Sequence, residues 1–194
     1  EPYLTSDYRN MLERAEELLT GVEILMRAIK VERAVIGVEN NKPDAIAHLR
    51  EVIEKEKYSG IEVMPLKMRY PQGGEKQLIA AVTGRQVPPP PALPISVGAV
   101  VSNVSTAIAV YEAVQKNKPL IERVVTVTGK HLASTHNFLV RFGTPVSTLL
   151  DIAGLPEGDN KLLNGGPMMG RCIVDTTAPT IKGCSGITVL SGKD

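Results

Sequence analysis

The chain has 194 residues, 22 basic and 21 acidic side chains, and a formal net charge of +1. That balance gives no electrostatic footprint for nucleic acid, and the lack of tryptophan with only 4% aromatic residues argues against a platform for stacked bases. Hydrophobic residues make up 43%, enough for one large globular domain or two small ones; no apolar run reaches the roughly 18 residues of a membrane span, no signal peptide is visible, and two cysteines do not make a disulfide framework.

The chain opens on Glu1-Pro2-Tyr3 without Met or a targeting region. It is expected to be a piece of a longer protein, with some functional parts outside it. Residues 6–30 follow as one long amphipathic helix, because Met11, Leu12, Ala15, Leu18, Leu19, Val22, Leu25, Met26 and Ile29 step by three and four. Thr5, Ser6 and Asp7 offer N-caps. Gly21 inside this helix costs about 1 kcal/mol against alanine, which points to close packing at that position.

Ala34–Val38 reads as a short strand, and Asn40, Asn41 and Pro43 announce a helix. Ala45, Ile46, Leu49, Val52 and Ile53 give that helix one apolar face; Asp44, Glu51, Glu54 and Glu56 give it a solvated one. Ile61–Pro65 is a second strand. Helix, strand, helix, strand in 65 residues predicts a parallel α/β sheet with right-handed crossovers, whose ligands gather at the carboxyl ends of the strands. The stretch "YPQGGEKQL", residues 70–78, lies just past such an end.

Residues 75–84 read as a helix closed by Gly84. "RQVPPPPALP" then breaks regular structure, with Pro88 to Pro91 and Pro94 predicting a stiff extended connector. In "VVSNVST", Ser102 or Asn103 caps a helix that carries Ala107, Ile108, Val110, Tyr111 and Val114. From residue 120 the texture changes. Val124–Thr128 and 137–142 read as strands, "GTPVSTLLDIAGL" as a short helix capped by Thr144, "NGGPMMG" as a loop, and 171–175 as another strand. That order predicts a small β-grasp domain, with a boundary near 117–121.

No G-x-G-x-x-G fingerprint or P-loop follows the early strands. His131 and His136 lie five apart in a loop and lack the four-residue spacing of the familiar zinc pair. Cys172 and Cys184 stand alone and read as small apolar residues on strands; no metal site is expected. "EPYLTSDYR", "YPQGGEKQL" and "VVSNVST" each place small polar residues before a helix, where free N–H groups bind anions. The same residues also serve as ordinary caps and turns.

Together these stretches resemble the C subunit of the Rnf electron-transport complex and, more distantly, the flavin-bearing NADH-oxidising subunit of respiratory complex I. "YPQGGEKQLIAAVTGRQVPPPPALPISVGAVVSNVST" carries most of the likeness; "EPYLTSDYR" is similar to the end of the family's flavin segment, and "NGGPMMG" and "KGCSGITVL" to its β-grasp part. The resemblance implies a partial Rossmann-like FMN/NADH-binding α/β module over 1–118 and a β-grasp domain of the soluble-ligand-binding type over 119–194. It implies FMN and NADH as cofactors, with Tyr70, Gly73, Gly74 and Glu75 beside the isoalloxazine and nicotinamide rings and Glu75 acting in catalysis. Ser102, Asn103 and Thr106 fall where the flavin phosphate or ribityl chain is held, and Glu1 on an acidic residue at the edge of the site. In complex I two acidic residues stand in a row where this chain has Glu75 and Lys76.

The family's glycine-rich loop precedes Glu1 and its iron–sulfur segment follows Asp194, so the flavin site is expected to be incomplete here and the 4Fe-4S ligands absent. The implied parent is one component of an ion-translocating NADH:ferredoxin oxidoreductase. It is peripheral on the cytoplasmic side of the bacterial inner membrane, partnered by other Rnf subunits and, indirectly, ferredoxin. Two alternatives share the likeness: a related cobalamin-reductase-type flavoprotein, or a non-catalytic docking module.

Overall fold

The fold is seen in a computed structural model that describes residues 1–192. The chain divides into two compact units, one of Asn10–Pro119 and one of Glu1–Arg9 with the chain from Leu120 onward.

The expected long helix is two helices, α1 (Ser6–Glu13) and α2 (Ala15–Ile29). The interruption falls at Arg14, whose backbone (φ −134°, ψ 37°) leaves the helical region, and not at the helix-weakening Gly21. The Arg14 guanidinium is held by Glu17 and by Glu112, the latter at 2.7 Å. Glu112 also accepts from Lys118 at 3.1 Å. Burial works to raise the Glu112 pKa, but the hydrogen bonds from Arg14 and Lys118 hold it below the usual carboxylate range.

In the same unit, β1 (Ala34–Glu39) and β2 (Ile61–Leu66) pair in parallel from Ala34↔Ile61 to Glu39↔Leu66. Between them runs α3 (Pro43–Glu56), with Pro43 in its first turn and Ala45, Ile46, Leu49 and Val52 buried. The parallel sheet of this unit is thus two strands wide. After α4 (Glu75–Thr83), closed by Gly84 at φ 72°, the proline-rich segment does not run as an extended rod. It turns, with Ala92 N–H donating to the Pro89 carbonyl at 3.1 Å, and then forms a single 3₁₀ turn over Pro94–Val97. Helix α5 (Val104–Lys116) follows. Gly21 is buried against it: a Cβ there would run into the Ala107 carbonyl far inside contact distance. Only glycine lets α2 and α5 approach this closely.

The other unit is a five-stranded mixed sheet in the order β4-β3-β7-β5-β6, made of β3 (Glu122–Gly129), β4 (His136–Arg141), β5 (Asn160–Asn164), β6 (Arg171–Cys172) and β7 (Gly186–Ser191). β3 and β7 are parallel and central. Helix α6 (Val146–Ala153) covers one face, burying Leu149 and Leu150 with Val125, Val127, Ile187 and Val189. Thr144 does not cap α6. Pro145 holds the cap position, and the Ala178 and Thr176 carbonyls take the Val146 and Ser147 amides at 3.0 and 2.8 Å. The strand expected over 171–175 is two residues long, because Asp175 bends the chain by accepting from the Thr177 amide and hydroxyl. Residues 1–9 belong here. The Thr5 and Ser6 amides donate to the buried Thr126 hydroxyl at 3.1 and 3.0 Å, and Asn137 bonds both threonines.

Two outcomes test this packing. Gly21→Ala gains about 1 kcal/mol of helix propensity but is expected to lose about 3 kcal/mol to overpacking, so its urea midpoint should fall. Glu112 has a depressed folded pKa, so its stabilisation is present above the unfolded-state value and disappears as pH drops through the folded value. Glu112→Gln is therefore expected to cost about 1–2 kcal/mol at neutral pH, with the gap to wild type closing in acid denaturation curves.

Candidate functional site

The residues singled out in the sequence fall at three places. Tyr70, Gly73, Gly74 and Glu75 form the turn into α4. Its geometry is set by the Gly74 amide donating to the Pro71 carbonyl at 2.7 Å and by the Leu78 amide donating to the Gly74 carbonyl at 2.8 Å. Gly74 is the N-cap and has no side chain with which to cap the helix. The first amides of α4 are therefore presented at an open helix end. A Cβ on Gly73 would meet nothing within 4 Å, so the backbone there is bare on its outer side. Tyr70 is 48% exposed, and Glu75 is exposed in the first helical turn, where the helix dipole favours a carboxylate.

Ser102, Asn103 and Thr106 form the start of α5 in the same unit. This end is capped by its own chain: the Asn103 side chain accepts from the Ser105 amide at 2.8 Å, and its carbonyl accepts from Thr106 and Ala107 at 3.0 and 3.1 Å. Ser102 and Thr106 hold exposed hydroxyls beside the cap. The Ser105 hydroxyl accepts from the buried Asn10 amide at 3.1 Å, which fixes the first turn of α5 to the end of α1. Glu1 lies in the other unit. Its carboxylate accepts from the Met168 amide at 2.8 Å, and its side chain occupies the space a Cβ on Gly166 would need.

The donor set fits a flavin in character. A bare glycine turn beside a tyrosine and uncapped amides suits a flat polar ring edge, and hydroxyls with an asparagine at a helix start suit a phosphate. A separate cleft of about 420 Å³, lined by Leu12, Arg14, Glu17, His48 and Val52, has its arginine already paired. His136 bonds the Ser134 hydroxyl at 2.6 Å and tilts against Phe138. Cys172 is exposed; Cys184 is buried just before β7 rather than on it, and burial raises its thiol pKa. Among the described residues no group of three or more His, Cys, Asp or Glu could hold a metal ion.

Sequence reasoning missed the two cations that hold the proline-rich segment. Lys76 donates to the Pro88 carbonyl at 2.9 Å, and Arg85 to the Val97 carbonyl at 2.8 Å. One signal was present: a lysine in the first turn of a helix opposes the dipole and needs a partner elsewhere.

Residues 1–112 match the Nuo51 FMN-binding domain of the Complex1_51K family, and the chain belongs to that family. Along its whole length it is similar to the C subunit of the proton-translocating ferredoxin:NAD(+) oxidoreductase complex of Clostridium ljungdahlii, with 45% identity over 195 residues, covering 100% of this chain and 42% of that protein. It is 42% identical to the C subunit of the Na(+)-translocating complex of Acetobacterium woodii, over 98% of this chain and 43% of that one. The fold superposes on a chain of an NAD+-reducing [NiFe]-hydrogenase in its H2-reduced state with a TM-score of 0.82 at 19% identity, covering 100% of this chain and 39% of the other. The chain thus spans less than half the length of these relatives.

Proposed function

We propose that this chain is the central part of the NADH-oxidising, FMN-binding subunit of an Rnf-type ion-translocating ferredoxin:NAD+ oxidoreductase. The observation that carries this is the open, glycine-led start of α4 with Glu75 in its first turn, in a chain similar end to end to two such C subunits. In this reading Tyr70, Gly73 and Gly74 would hold the FMN ring, and Ser102, Asn103 and Thr106 would hold its phosphate or ribityl chain.

The chemistry a bound FMN supplies is hydride acceptance from NADH and release of single electrons. The chain's own residues position and orient. Gly73 and Gly74 would let backbone approach the ring plane closely, and the uncapped first amides of α4 would serve its polar edge. Glu75 would orient the nicotinamide, directly or through water. Glu1, in the other unit, accepts from the Met168 amide. In the whole protein, 4Fe-4S clusters would supply the onward one-electron chemistry toward ferredoxin, and other Rnf subunits would be its partners. Among the described residues no helix is long and apolar enough to cross a membrane; we place the protein peripherally, on the cytoplasmic face.

Glu75→Gln in the full-length protein separates ring binding from hydride transfer. FMN retention, read by flavin fluorescence, is expected to hold within about twofold, while NADH oxidation falls roughly 10- to 100-fold through lost orientation. Equal loss of both contradicts the placement of Glu75, and a full-length protein that takes up no FMN contradicts the function.

A further inference from the structure

We propose that Lys76 is a positioning residue, which fixes the proline turn beside the open start of α4 and so builds a second side of the nicotinamide site; this rests on the FMN/NADH reading above. The segment 86–98 carries prolines at 88, 89, 90, 91 and 94. None of these has an N–H, so the segment cannot pair as a strand or continue a helix. It can be held mainly by its carbonyls. Two side chains do so, one from the first turn of α4 and one from just past its end: the Lys76 ammonium on Pro88 and the Arg85 guanidinium on Val97. The chain therefore leaves the C-terminal end of α4, reaches its first turn at Pro88, turns over 89–92, and returns to Arg85 at Val97.

Neither cation forms an ion pair among the described residues, so each is committed to its carbonyl. Lys76 stands where the helix dipole disfavours a cation; its contribution lies in the carbonyl it holds. The bond ties the proline turn, within the reach of one lysine side chain, to the turn of α4 that also carries Glu75. Further along the same segment, Leu93 and Ile95 stand 64% and 67% exposed. A fixed apolar side next to a polar helix end suits a nicotinamide ring, which has both characters.

The test uses the full-length protein as wild type, Lys76→Met and Lys76→Arg. Without added flavin, hydrogen exchange at the Ala92 amide, which closes the proline turn, is expected to rise about tenfold in Lys76→Met, while the α4 amides hold. With FMN bound, the KM for NADH is expected to rise about tenfold with kcat within about twofold, the pattern of lost binding rather than lost chemistry. Lys76→Arg, which keeps a cationic donor, is expected to restore both. Unchanged exchange at Ala92, or a fall in kcat with KM unchanged, overturns the proposal. If wild type binds no FMN, the functional reading fails by itself, and the exchange comparison still decides whether Lys76 holds the turn.

Discussion

The contact between Gly21 of α2 and the Ala107 backbone of α5 sets the geometry of the α/β unit. With any side chain at position 21 the two helices separate, and the start of α5 moves with them. The same helix is tied at two further levels, by Asn10 on Ser105 and by Arg14 on Glu112. A second glycine does equivalent work for α4. Gly37 in β1 leaves the space into which Leu66 and Leu78 fit, and Leu78 is on α4. Two missing Cβ atoms thus fix two helix starts, and every proposed flavin residue of this unit lies on one or the other.

The two starts are chemically different, and in the proposed site this difference would divide the labour between them. The α4 end is uncapped, bare and carries a carboxylate, which makes it a poor place for a phosphate but a suitable one for a ring with polar edges. The α5 end is self-capped through Asn103, with hydroxyls on either side. Its cap is a side chain, which a phosphate oxygen can replace on the same amide. The carboxylate that looks misplaced after a glycine turn is therefore consistent with a ligand whose negative charge lies elsewhere.

Much of the α/β unit was legible because its signals are local. Pro43 begins α3, Gly84 ends α4 in the left-handed region, and Asn103 caps α5 within two residues. The glycine at position 21 announced close packing, and the packing is there. What was illegible depends on residues far along the chain. The break at Arg14 answers to Glu112, the capping of α6 to carbonyls at 176 and 178, and the proline turn to Lys76 on α4. The Glu1 carboxylate likewise takes an amide 167 residues on, which no local signal announces. Helix ends can be read from sequence; the groups that answer them across the fold cannot.

The central claim is that the ring is held at α4 and the phosphate at α5. Amide chemical shifts of the full-length protein, titrated in parallel with riboflavin and with FMN, test it directly. Both flavins are predicted to shift the amides of Gly73, Gly74 and Glu75, and FMN alone to shift those of Asn103 and Thr106. Shifts at α4 that require the phosphate, or none at either helix start, would contradict it.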